Sequence, residues 1–65
     1  MKFYNWLKVL KDLMVKTEII KKDTTLDSDG YKPYFEEGIT PYETLRKEFG
    51  MDWVKKYQKW YFSQT

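Results

Sequence analysis

The sequence contains no cysteine, no histidine and a single arginine, Arg46, among 65 residues. Without cysteine, a disulfide framework and thiolate zinc sites are impossible. Without histidine, the commonest transition-metal ligand is missing, and so is an imidazole base near neutral pH. Nucleophile–histidine arrangements are excluded with it. The three glycines, Gly30, Gly38 and Gly50, stand singly, so no glycine-rich phosphate loop exists. No uncharged stretch approaches the ~20 residues of a membrane span. The opening MKFYNWLKVLKDLMVK does not read as a signal peptide, because Lys8, Lys11 and Asp12 interrupt it. The expectation is a cytoplasmic, non-enzymatic chain with no cofactor, no metal, no membrane partner and no small-molecule substrate.

What the chain has in excess is aromatic rings. Three Trp, six Tyr and four Phe make up 20% of it. One domain over residues 1–65 is all this length allows. A chain so short buries only roughly 60% of its unfolded surface, so its core is marginal. Large rings offset that, each burying about 150–250 Å².

The hydrophobic pattern is helical. Phe3, Trp6, Leu7, Leu10, Leu13 and Met14 repeat at one-face helix spacing over residues 3–16. Residues 17–20 are β-branched apart from Glu18 and leave the helix end undefined. Residues 21–40 read as a long connection. Asp27-Ser28-Asp29-Gly30 is turn chemistry, and Pro33 biases Lys32 toward an extended backbone. Tyr31, Tyr34 and Phe35 are expected to pin this connection to the helices. The alternative is a short β-hairpin pairing 18–20 with 31–35.

Thr40-Pro41-Tyr42-Glu43 is a capping box with proline at the first helical position. Tyr42, Leu45 and Phe49 form the stripe of the helix that follows, and Gly50 stops it in a left-handed conformation. Asp52 is a natural N-cap for a further helix carrying Trp53, Val54, Tyr57, Trp60 and Tyr61 on one face. The predicted fold is all-α: a long amphipathic N-terminal helix, a folded connection and a capped C-terminal helical hairpin.

Two functional readings follow. A three-helix core of this size cannot enclose thirteen rings, so some must lie at the surface, where Tyr and Trp dominate binding hot spots. The expected partner-binding residues are Tyr4, Tyr31, Tyr34, Phe35, Tyr61 and Phe62. The partner is another protein or a second copy of the chain. The size also suits the small accessory or inhibitory proteins of phages and mobile elements, which act by stoichiometric binding. The second reading rests on the segment from Thr40 to Tyr61, which resembles a helix–turn–helix: short helix, glycine turn, second helix. That resemblance implies a DNA-binding helix presenting Lys55, Lys56, Gln58 and Lys59. It departs from the motif at Arg46, where a small residue is usual, and at Lys56, where a branched apolar residue is usual.

Charge is segregated. Residues 23–37 hold five carboxylates against Lys32, a local charge of −4, although the chain as a whole carries +2. Asp27 and Asp29 do not make a calcium loop, because the closing bidentate Glu is not in register.

Overall fold

A computed structural model of the chain describes residues 2–64; Met1 and Thr65, the ends of the expected domain, lie outside the described residues. It has three helices: α1 (Phe3–Lys16), α2 (Ser28–Glu36) and α3 (Pro41–Ser63). No residue among those described is in a strand. The radius of gyration is 11.6 Å, against about 11 Å for a compact chain of this length.

The core is the set of residues that the helical periods select. Trp6, Leu10 and Met14 of α1 meet Leu45, Trp53 and Val54 of α3, and Leu10 and Leu45 are completely buried. Both core indoles find acceptors for their N–H groups, as buried tryptophans require. Trp6 Nε1 donates to the Ile39 carbonyl at 2.9 Å, tying the α2–α3 link to α1. Trp53 Nε1 donates to Thr17 Oγ1 at 2.9 Å, and that buried hydroxyl donates onward to the Leu13 carbonyl at 2.7 Å.

The connection corrects the sequence reading. Its middle is a helix, and 31–35 lies inside it, so the short hairpin does not form. Asp27 supplies the chemistry read as a turn, but uses it as an N-cap, accepting from the Gly30 amide at 3.4 Å. Pro33 lies within α2 and Lys32 is helical, against the usual bias before proline. Offsetting that, Tyr31, Tyr34 and Phe35 pack on the core. Phe35 sits 5.1 Å from the Phe3 ring and 6.0 Å from the Trp6 ring. The three aromatics do pin the connection, as expected.

Helices α1 and α2 end in the same way. Ile19 N–H bonds to the Met14 carbonyl and Glu18 N–H to the Val15 carbonyl. Ile39 N–H bonds to the Tyr34 carbonyl and Gly38 N–H to the Phe35 carbonyl. These are two Schellman motifs. The second places Gly38 at φ 77°, and the first forces Glu18 to φ 63°.

Helix α3 starts at the expected cap, where Thr40 Oγ1 accepts from the Glu43 amide at 3.2 Å. The reciprocal half of the capping box is replaced, since the Glu43 carboxylate pairs with Arg46 at 3.5 Å. Gly50 breaks the helix at φ 71°, ψ −157°, dividing it into arms 41–49 and 51–63. That ψ lies outside the left-handed helical region predicted for it, in backbone space that only glycine occupies readily. The break comes at Gly50 itself, so Asp52 is inside the second arm rather than its cap. In an unbroken helix Tyr42 and Tyr57 would be about 22 Å apart along the axis. Their rings lie 5.0 Å apart, so the break folds the second arm back along the first.

Candidate functional site

The second arm of α3 sorts its side chains onto three faces. Trp53 and Val54 point into the core. Helical spacing then sets Lys56, Lys59 and Trp60 on one flank, and Gln58, Tyr61 and Phe62 on the other. Each flank borders its own groove.

The aromatic flank grows outward from the core as a chain of ring contacts. Tyr42 stands 5.1 Å from Trp53 and edge-on to it, and Trp53 stacks on Tyr57 at 5.5 Å. Tyr57 stacks in turn on Tyr61 at 6.1 Å, and Tyr61 meets Phe62 edge-to-face at 5.6 Å. Exposure rises along this series: Trp53 is 1% exposed, Tyr61 50% and Phe62 68%. Tyr42, Tyr57, Gln58, Tyr61 and Phe62 line an open groove of about 360 Å³.

The expected partner-binding residues therefore fall in three places. Tyr61 and Phe62 are neighbours on this flank. Tyr4 is 70% exposed on α1, with Lys8 Nζ 5.6 Å from its ring centre. Tyr31, Tyr34 and Phe35 are half-buried in α2. Tyr31 Oη donates to Glu48 Oε2 at 3.2 Å, linking α2 to α3. Partial burial, and then the Glu48 carboxylate, push the Tyr31 hydroxyl up to about 12. Tyr31 therefore stays protonated, and a donor, through the whole neutral range.

Lys55, Lys56, Gln58 and Lys59 are all exposed. Three further apolar side chains are exposed: Val9 at 42%, Met51 at 59% and, against its expected place in the helix stripe, Phe49 at 41%. Phe49 carries the period of a core residue. As the last residue before the Gly50 break, it instead lines an open groove with Ile19, Trp53 and Lys56. Periodicity marks the face of a helix but not where its neighbour ends.

Among the described residues no helix is long and apolar enough to cross a membrane. In comparisons with known proteins, no family model, no curated protein and no solved structure matches the chain.

Proposed function

We propose that the protein is a non-catalytic protein-binding module, an accessory or inhibitory chain that acts by stoichiometric occupation of a protein target. The observation that supports this reading most is the aromatic flank of α3. Tyr61 and Phe62 are half or more exposed and adjacent; Tyr61 stacks on Tyr57, which packs against the core, and Phe62 stands edge-on to Tyr61. Rings held rigidly at their base and open at their tip lose little conformational freedom on binding, which is why such residues anchor interfaces. The absence of histidine and cysteine supports the non-catalytic half of the proposal.

The duplex-DNA reading has one observation in its favour, the exposure of Lys55, Lys56, Gln58 and Lys59. It ranks second because Gly50 alone breaks α3, where the helix–turn–helix motif uses a turn of about three or four residues.

Affinity capture from cell extract with the full chain, paired with light scattering of the purified protein, tests the first reading. The expected result is one stoichiometric complex, with a distinct protein or a second copy, that is lost in Tyr61→Ser/Phe62→Ser. A strict monomer that retains nothing would contradict it.

A further inference from the structure

On the opposite flank of the second arm, lysines from two helices converge. Lys16 in the last turn of α1 and Lys56 and Lys59 of α3 line one open groove of about 260 Å³, together with Thr17, Glu18 and Trp60. Lys16 Nζ stands 4.8 Å from the Trp60 ring centre and 2.7 Å from Asp12 Oδ2. Asp12 in turn belongs to a second groove, lined by Lys8, Lys11, Val15 and Lys22. Asp12 at the edge of one groove touches Lys16 at the edge of the other, so the two are taken together as one track. Six lysines border it against two carboxylates, Asp12 and Glu18, a net +4 on a chain whose total is +2. Lys56 and Lys59 form no ion pair among the described residues. Lys16 is engaged by Asp12 and Trp60, but the unpaired like charges of Lys56 and Lys59 beside it cost self-repulsion, so the arrangement favours an anionic occupant.

We propose that this track binds the phosphate backbone of single-stranded nucleic acid. The surface is independent of the aromatic flank and of the protein-binding reading. Lysine suits this ligand because an ammonium is a point charge that meets a phosphate oxygen from any direction, whereas arginine's planar fork serves directional pairing. The one arginine, Arg46, is turned to Glu43. A single strand is flexible enough to bend from the α1 groove into the groove between α1 and α3. A folded acidic protein would need a rigid surface of matching shape. Trp60, half-buried at the groove between α1 and α3, lies under the Lys16 ammonium and so holds that charge at the groove.

The test is fluorescence anisotropy with an oligothymidylate of about 12 nucleotides, titrated from about 50 to 200 mM salt. Binding should weaken steeply with salt. Lys56→Glu/Lys59→Glu should weaken it at least about tenfold at low salt and flatten the log–log slope by about 1.4, at ~0.7 per phosphate contact. Lys32→Glu/Lys47→Glu, at two exposed lysines outside both grooves and with the same change in net charge, should bind the strand nearly as the wild type does, which shows that the loss belongs to the track. Circular dichroism confirms that the lysine variant is folded, since both positions are exposed. Four results would overturn the proposal: no binding at low salt, unchanged binding by the folded lysine variant, tighter binding to duplex than to single strand, or equal competition by polyglutamate.

Discussion

Thr17 illustrates how much a single polar atom carries here. It is 3% exposed, and its hydroxyl is the acceptor for the buried Trp53 indole. The Leu13 carbonyl also receives the Thr17 backbone N–H at 3.0 Å, so it keeps a partner without the hydroxyl. Thr17→Val therefore orphans one atom, the Trp53 Nε1–H. Leaving a buried donor unmet costs about 1–3 kcal/mol. Urea denaturation should show that loss for Thr17→Val and a loss below about 1 kcal/mol for Thr17→Ser, which keeps the hydroxyl. Equal stability of the valine variant and the wild type would contradict the assignment. Nothing in the sequence marks Thr17 for this role. It continues the α1 period, three residues after Met14 and seven after Leu10, which accounts for its burial, but its partner lies 36 positions away.

At the scale of elements, the helices with clean periodicity were legible, α3 with its start and α1 without its end, and the one built on turn residues was not. Asp27 caps α2 with the same hydrogen-bonding chemistry that makes an aspartate a turn former. What separates the outcomes is the packing of Tyr31, Tyr34 and Phe35 against α1, a tertiary effect that local pattern does not contain. The helix ends offer a paired prediction. Glu18 holds a left-handed conformation at a Schellman position where Gly38 holds the equivalent one. Glu18→Gly should raise stability by about 1 kcal/mol, the approximate cost of a side chain there. Gly50→Ala should lower it by about 1–3 kcal/mol. Beyond the adjoining backbone no atom lies within 4 Å of a Cβ added at Gly50, so that cost comes from the local backbone conformation. Denaturation of both variants checks this; the account fails if the two shifts have the same sign.

At the scale of the molecule, two segregations matter. Negative charge gathers on residues 23–37, and positive charge gathers where α1 meets the second arm of α3. Aromatic rings divide in a similar way. Phe3, Trp6 and Phe35 form one cluster, and Tyr42, Trp53 and Tyr57 another, both packed into the core. Tyr61 and Phe62 continue the second cluster outward to the surface. The sequence carried the surplus of rings and the basic faces as facts of composition and spacing. It did not carry which rings would surface, because that depends on where Gly50 turns the chain. It did not place Lys16 beside Lys56 and Lys59 either, because that depends on how α1 lies against α3.

The central claim is that the outer rings of α3 serve a partner rather than the fold. Equilibrium denaturation of Tyr61→Ser/Phe62→Ser, compared with wild type at a concentration where light scattering shows both to be monomers, tests it most directly. The account predicts stability within about 1 kcal/mol of the wild type, as for substitutions on an exposed surface. A loss of about 3 kcal/mol or more, the size expected for truncating a core ring, would contradict it.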